Sequence, residues 1–334
     1  MSRLLPLVVS LLLPVFARCM CLPDSMVVMC YNVENLFDCR DDTLKDDAEF
    51  LPTSVRAWHI GRFKRKMANL SRAIINSGHG SIPALVALCE VENDYVMRYL
   101  TRYSPLKQLG YRYVVTDSPD ERGIDVALIY QRERFRLLSS CPVTVDVSAA
   151  GAPPTRDLLH CSGLVATGDT LDIIVCHLPS RRGGTGSASR ARSIVMRRMR
   201  QYADSLLAVR SSPAVMMMGD FNTDAADDEL WRLMNDSHYC LLTAHYSDSV
   251  EVGSYKYRQV WQTIDHIVVN RAMSDGRARL RARRAGVVAD AYLLEDDARY
   301  LGRRPRRTYH GMRYAGGYSD HLPVVTVLCY DLPY

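Results

Sequence analysis

The chain has 334 residues, 48% of them hydrophobic and 24% charged, an ordinary globular composition with length for one large core or two small ones. Its formal net charge of +5 is too mild to require a nucleic-acid partner, although it does not oppose a polyanionic substrate. Ten cysteines suggest a disulfide framework, but Cys30, Cys89, Cys176 and Cys329 sit in or beside apolar runs, where cysteine behaves as a small core hydrophobe, and no Cys-x-x-Cys pair offers zinc spacing.

The first predicted element is a targeting segment. Arg3 precedes an apolar run, 4–16, that is too short to span a bilayer comfortably, and Val15-Phe16-Ala17 fits the small-x-small rule for signal peptidase. Residues 1–17 are therefore expected to be a cleaved secretory signal, or failing that an uncleaved anchor, with 18–25 a short segment ahead of the main domain. The mature chain is then expected to be exported, to the periplasm, the outer surface or the medium. Cys19 and Cys21 raise a lipoprotein alternative, against which Arg18 is a poor residue to precede a lipidated Cys19. No later stretch is long and apolar enough to be a membrane span.

Beyond the leader, short apolar and β-branched runs recur at 26–31, 84–89, 111–116, 126–130, 171–176, 214–218, 264–269 and 324–330. Several are nearly continuous in hydrophobicity, as strands covered on both faces are. Helical periodicity lies between them. Segment 63–76 aligns Phe63, Met67, Leu70, Ala73 and Ile74, segment 189–209 aligns Ile194, Met199, Tyr202 and Leu206, and 224–234 begins with acidic residues. The arginine-rich stretches 277–284 and 303–307, on either side of Glu295-Asp296-Asp297, are expected to be solvated loops or edges. Nothing marks an internal boundary, so 26–334 is expected to be one domain and the chain a monomer.

Six polar motifs fall where these runs begin or end: Tyr31-Asn32-Val33-Glu34-Asn35, Cys89-Glu90-Val91-Glu92-Asn93, Cys176-His177-Leu178-Pro179-Ser180, Gly219-Asp220-Phe221-Asn222, Thr263-Ile264-Asp265-His266 and Tyr318-Ser319-Asp320-His321-Leu322-Pro323. Carboxylates, carboxamides and imidazoles on strand ends are the parts needed to hold a hard divalent cation and activate water beside a phosphate. Each motif alone has a plainer reading. Glu90 could be a charged strand end in solvent, and Asp220 with Asn222 a turn that caps the following helix. Six in series argue instead for a single hydrolytic site. Serine-hydrolase, zinc-peptidase and P-loop motifs are absent.

In order and spacing these motifs resemble the endonuclease/exonuclease/phosphatase superfamily over roughly residues 26–330, and Gly253-Ser254-Tyr255-Lys256-Tyr257 with Gly316-Gly317-Tyr318-Ser319 resembles a bacterial exported branch of it. The resemblance implies an α/β fold, a four-layered DNase I-like sandwich of two packed mixed β-sheets flanked by helices. It also implies divalent-metal-dependent phosphoester hydrolysis with Mg²⁺ or Mn²⁺. Glu90 is then the principal metal ligand, Asn32 gives a carboxamide oxygen to the metal or the phosphate, Asp320 is a further ligand, and Glu34 serves a second or outer-sphere metal. Asp220 would orient and deprotonate the attacking water, and Asn222 would hold a phosphate oxygen. His321, kept protonated by Asp265, would oppose charge on a non-bridging oxygen. His177 matches the second histidine of DNase I-like and sphingomyelinase-like relatives, a candidate general acid or leaving-group stabiliser, with Asp125 as its expected orienting carboxylate; the plain alternative for Asp125 is a surface salt bridge.

Arg181 and Arg182 could clamp a phosphate or belong to a solvated loop. Thr308-Tyr309 and Lys256-Tyr257 are placed to line a substrate entrance, where the rings could stack a base or sugar. His266 is expected to face away from Asp265, and His59, His79, His160, His238, His245 and His310 default to surface or core roles. The expected function is an exported nuclease or broad phosphodiesterase. A phosphatase, a phospholipid or sphingomyelin phosphodiesterase, and a catalytically silent surface binding module are the alternatives.

Overall fold

A computed structural model of the chain describes residues 25–181, 185–244 and 252–330. The expected signal, Cys19, Cys21 and Arg182 lie outside the described residues. One sheet is built from β1 (Ser25–Leu36), β2 (Leu85–Val91), β3 (Tyr111–Val115), β4 (Asp125–Gln131), β13 (Leu280–Ala282), β14 (Gly286–Val287) and β19 (Val324–Tyr330). Its spatial order is β13-β19-β1-β2-β4-β3, with β14 also on β19. The other sheet holds β5 (Arg136–Val143), β6 (Leu158–Leu164), β7 (Thr170–His177), β8 (Ala214–Asp220), β9 (Tyr239–Leu241) and β12 (Asp265–Asn270), in the order β5-β6-β7-β8-β12-β9. Three hairpins complete the strands: β10 (Tyr255–Tyr257) with β11 (Val260–Gln262), β15 (Leu294–Asp296) with β16 (Arg303–Pro305), and β17 (Tyr309–His310) with β18 (Arg313–Tyr314).

Strand periodicity sorts the apolar runs into three cores. From β1, Met26, Val28 and Cys30 face the second sheet and meet Ile173, Val175, Met216, Met218 and Ile267, while Met29 and Tyr31 point the other way. That outer face is covered by α1 (Ile60–Asn76) and α2 (Asp94–Arg102) through Phe63, Met67, Leu70, Ile74, Met97 and Leu100. On the far side, Ile174, Val215, Met217 and Val268 pack under α3 (Thr185–Val209) and α4 (Asp228–Met234). The result is helix, sheet, sheet, helix, the expected four layers. Runs covered on both faces read as continuous hydrophobicity for this reason. No helix among the described residues is long and apolar enough to cross a membrane.

The cysteines follow the same logic. All eight described cysteines are free thiols, and Cys30 and Cys89 donate across the sandwich to the carbonyls of Gly219 and Cys176 at 3.7 and 3.3 Å. The helix expected at 224–234 starts later, at Asp228, because the Asp227 side chain takes the cap position and accepts from the N–H groups of Glu229 and Leu230. On α3 the buried stripe is Ala191, Val195, Met199, Ala203 and Leu206, leaving Ile194 and Tyr202 at its flank.

Strands β5 and β6 have no clear sequence signal. The former is a mostly exposed edge strand, and the latter is interrupted by His160, Ser162 and Gly163. Those polar groups are satisfied within the sheet: Asp172 on β7, fully buried, takes His160 Nε2 at 3.0 Å and the Arg210 Nε at 2.8 Å, while Arg210 Nη2 reaches Ser162 Oγ at 2.9 Å. Burial alone would raise the Asp172 carboxyl, but hydrogen bonds from His160, Arg210 and Ser162 hold it well below the usual carboxylate range. Asp172→Asn leaves a guanidinium half paired over the sheet and is expected to destabilise the fold by about 3 kcal/mol in chemical unfolding. A loss below about 0.5 kcal/mol would mean that water replaces the pair at no cost.

Candidate active site

The candidate catalytic residues gather at one edge of the sandwich because of strand register. β7 and β8 run parallel and β12 antiparallel to β8, so His177, Asp220 and Asp265 lie side by side on three neighbouring strands. Opposite them, β1 and β2 end together, and both ladders break there: between Asn32 and Leu36 on β1, and between Cys89 and Val91 on β2. The bulges turn Glu34 and Glu90 into the cleft. Glu34, Asn35, Glu90 and Asn222 all adopt left-handed φ of 53°, 52°, 65° and 49°, a conformation that costs a non-glycine residue about 1–2 kcal/mol. Strain at four positions in one site marks it as built for something other than stability. Gly219, at φ 144°, could not be replaced: a Cβ there would lie 1.9 Å from the Cys176 carbonyl oxygen.

Asn32 is the hub of the floor. Its Nδ2 donates to Glu90 Oε1 at 3.3 Å and to Asp220 Oδ2 at 3.0 Å, while its Oδ1 accepts the Glu34 N–H at 3.0 Å. The oxygen expected to serve the metal or phosphate thus has one of its two lone pairs committed to the left-handed turn at Glu34 and one left for such a ligand. The Glu90 Oε2 accepts from Asn35 N–H at 2.8 Å. Asp220 Oδ1 accepts the Asn222 N–H at 2.8 Å, and the Asn222 Nδ2 donates to the Leu178 carbonyl at 3.0 Å, which spends one of its two N–H bonds.

Two histidines face the same carboxylate with opposite character. His321 Nδ1 lies 2.7 Å from Asp265 Oδ2, and its Nε2 3.9 Å from Asp220 Oδ2. Burial opposes charge on His321, but Asp265, with Asp220 and Asp320, holds its imidazolium well above the usual histidine range. Ser254 braces this pair: its Oγ accepts from the Ile264 and Asp265 N–H groups and its carbonyl from Leu322. His177 Nε2 lies 3.6 Å from Asp220 and 4.0 Å from Glu90, and burial, reinforced by Arg156, Arg122 and His321, pushes it well below the usual range. Burial thus favours the neutral imidazole of His177, which can donate a hydrogen bond.

The expected partnership of Asp125 with His177 is not formed. Asp125 Oδ1 accepts from Thr116 Oγ1 at 2.6 Å and from Ser118 N–H at 3.1 Å, and His177 Nδ1 has no hydrogen-bond partner among the described residues. Asp125 opens β4 and is consumed in closing the turn from β3. His177 is positioned instead through its backbone, where Arg156 donates from Nε to the His177 carbonyl at 3.2 Å and from Nη2 to that of Leu178 at 2.7 Å, and pairs with Asp120 at 3.0 Å. Nothing in the sequence singled out Arg156.

Glu34 and Asp320 do not present free carboxylates to a metal. Arg307 bridges them, with Nε 3.2 Å from Glu34 Oε1 and Nη2 2.9 Å from Asp320 Oδ2. The reading of 303–307 as a solvated stretch is thus wrong for Arg307. Buried Lys66 lies 3.8 Å from Glu34 Oε2, and burial lowers its ammonium to about 8. Lys66 was legible only as one cation of an amphipathic helix. His266 faces away as expected, with Nδ1 on Thr243 and Nε2 on the Thr223 carbonyl. Asp220, Asp265 and His321 also bring one ligand atom each within 4.8 Å of one another, but the Nδ1 of His321 is already committed to Asp265.

Above this floor opens a cleft of about 1220 Å³, lined among others by Arg122, Arg156, Arg181, Arg307, Tyr255 and Tyr257. The Tyr255 ring centroid lies 4.9 Å from that of His321. Thr308, Tyr309 and Tyr257 do reach the cleft, whereas Lys256 turns away to pair with Asp297 at 3.0 Å. Arg181 Nε donates to the Asn222 carbonyl at 2.9 Å, tethering Arg181 to the turn that carries Asp220 and Asn222.

Asp265→Asn is expected to lower kcat about 10²–10³-fold, because a neutral His321 no longer opposes charge on the phosphoryl group. A purely structural role would leave the pH profile alone. Here the substitution lowers the pKa of His321, so activity should disappear at a lower alkaline pH than in the parent. An unshifted alkaline limb in the variant would sink the assignment.

The structure is similar to solved structures that share little sequence with it. An endonuclease/exonuclease/phosphatase family protein from Bacteroides thetaiotaomicron superposes with a TM-score of 0.58 at 16% identity, over 93% of this chain and 96% of that one. The human Nocturnin catalytic domain with bound sulfate anion gives 0.57 at 17% identity, over 92% and 95%. A Bacteroides thetaiotaomicron mannosyl-6-phosphatase gives 0.56 at 16%, over 91% and 100%. Among curated protein sequences none matches the chain. These likenesses establish the fold, and the sequence itself, over residues 27–329, matches the Endonuclease/Exonuclease/phosphatase family: the chain belongs to that family of hydrolytic phosphoesterases.

Proposed function

We propose that the chain hydrolyses a phosphodiester by direct attack of water, with one divalent cation, Mg²⁺ or Mn²⁺, held by Glu90. The supporting observation is a charge imbalance at the cleft floor. Arg307 pairs Glu34 and Asp320, and His321 pairs Asp265 and faces Asp220, but among the described residues Glu90, held by neutral donors on Asn32 and Asn35, has no ion-pair partner except His177 at 4.0 Å, whose charge burial opposes. An unpaired carboxylate among arginines fits a small hard cation that takes one or two protein carboxylates and keeps its waters. When bound, such an ion supplies a Lewis acid to a phosphoryl oxygen.

The protein's own groups divide the remaining work. Asp220, pinned through both oxygens, orients the attacking water and takes its proton. The second N–H of Asn222 holds a phosphoryl oxygen, and His321 opposes the charge that grows there. His177 donates a hydrogen bond toward the leaving oxygen. Arg122 and Arg181 have no carboxylate partner among the described residues and line the same cleft as Tyr255 and Tyr257, an arrangement that suits a phosphate chain with stacking bases or sugars. A nuclease or broad phosphodiesterase is the reading this supports best, and its export is proposed from the apolar run 4–16 alone. The same density of guanidinium groups favours, second, a phosphatase acting on a dianionic monoester.

The test is turnover of plasmid DNA, RNA, bis-p-nitrophenyl phosphate, inositol phosphates and sphingomyelin with Mg²⁺, with Mn²⁺ and after chelation. Diester cleavage that needs the metal is expected. Hydrolysis of monoesters alone would move the chain to the phosphatase reading, and silence on every substrate to a binding module.

A further inference from the structure

We infer that Arg307 takes the place of a second metal ion, so that the site holds one divalent cation and offers the substrate phosphate a fixed guanidinium beside it. The inference rests on Glu90 as the holder of that single cation. Glu34 and Asp320 are the two further carboxylates that the sequence offers as metal ligands, and both line the cleft with Glu90. Arg307 already spans them, through Nε to Glu34 at 3.2 Å and Nη2 to Asp320 at 2.9 Å. With Lys66 beneath, two negative and two positive side chains cancel. A second divalent ion would have to expel a guanidinium and add charge to a neutral cluster.

The cluster is also held rigidly. The three N–H bonds of the Lys66 ammonium go to the Glu34 carbonyl at 3.1 Å, Thr308 Oγ1 at 2.5 Å and the Tyr318 carbonyl at 2.8 Å, which uses its full donor capacity. The residue after Arg307 returns to the same carboxylate, Thr308 N–H donating to Glu34 Oε2 at 2.6 Å. On the other side of Arg307, the Tyr318 N–H donates to the Arg306 carbonyl at 2.5 Å and the Gly317 N–H to that of Arg307 at 3.2 Å. The segment that carries Arg307 is thereby stitched to the segment that carries Asp320 and His321. Of the five guanidinium N–H bonds only two are spent, and the others have no partner among the described residues, while the side chain lines the cleft. Those donors match two oxygens of a phosphate, in the planar geometry that guanidinium binds best.

Mn²⁺ binding to the purified metal-free chain, followed by electron paramagnetic resonance and calorimetry without substrate, tests this. The parent should take up one ion per chain. Arg307→Ala should take up two, and the second should vanish again when Glu34→Gln is added. Arg307→Gln, which keeps a donor but no charge, serves if the alanine variant fails to fold. Two ions in the parent, or one in a folded Arg307 variant, overturns the inference and leaves Glu90 untouched; no ion in the parent removes the Glu90 reading and the inference with it. Inorganic phosphate titrated without metal should bind Arg307→Gln about 10-fold more weakly than the parent. Equal affinity would overturn the phosphate-binding half.

Discussion

Glu90→Gln is expected to abolish metal-dependent turnover, with a loss on the order of 10³–10⁴-fold, since Lewis-acid stabilisation of the phosphoryl group contributes several kcal/mol. The substitution is nearly isosteric. Glu90 Oε1 and Oε2 accept from Asn32 Nδ2 and Asn35 N–H, and a glutamine oxygen still satisfies one of those donors. The side chain keeps its left-handed backbone and its bulge between Cys89 and Val91. The fold should therefore survive with little change in unfolding midpoint, while Mn²⁺ affinity of the free protein collapses. Undiminished Mn²⁺ binding by the variant would move the cation elsewhere, and the triad of Asp220, Asp265 and His321 would be the next place to look. Loss of activity with intact metal binding would instead make Glu90 a positioning group.

The sheet sandwich was legible because its central strands are covered on both faces, which gives continuous apolar runs such as 84–89 and 214–218, and because α1 buries the residues its 3.6-residue period predicts. Residues on strand ends were legible too, for a geometric reason: a side chain at the end of a buried strand has one place to go. What failed were relations between residues distant in sequence. Asp125 and His177 are 52 positions apart, and no periodicity says that Thr116 and Ser118 claim the carboxylate first. Arg307 lies in a stretch with the composition of a solvated edge, and only the return of the chain at Thr308 and Tyr318 brings it onto Glu34. The motif around Glu90 shows the same limit from within. Glu92 accepts the Asp38 N–H and Asn93 caps α2, so two of its three polar residues are structural. Motif membership identified the neighbourhood, and hydrogen bonding, by engaging Glu92 and Asn93 in the fold, leaves Glu90 as the candidate for chemistry.

Asp220→Asn should lower kcat about 10²–10⁴-fold, the usual worth of a positioned general base. The substitution preserves shape, and an amide oriented with its oxygen toward Asn32 or Asn222 keeps a hydrogen bond, so substrate binding and stability should change little. Burial, with the charge of Asp265, raises the Asp220 carboxyl to about 7, against the lowering pull of His321 and of the hydrogen bonds from Asn222 and Asn32. A general base works only when deprotonated, so the direction follows: activity falls as pH drops through the Asp220 pKa and is full above it. A divalent ion on Glu90 adds positive charge nearby and moves that limb to lower pH, so the limb should shift with metal concentration. The substitution Asp265→Asn removes the charge that helps raise Asp220 and should move the same limb downward, opposite in sign to any effect of losing the cationic His321 on Asp220. Residual activity of Asp220→Asn should show no such limb at all. If it keeps the acid limb of the parent, the proton is taken by another group, and Asp220 serves only to hold the floor of the cleft together.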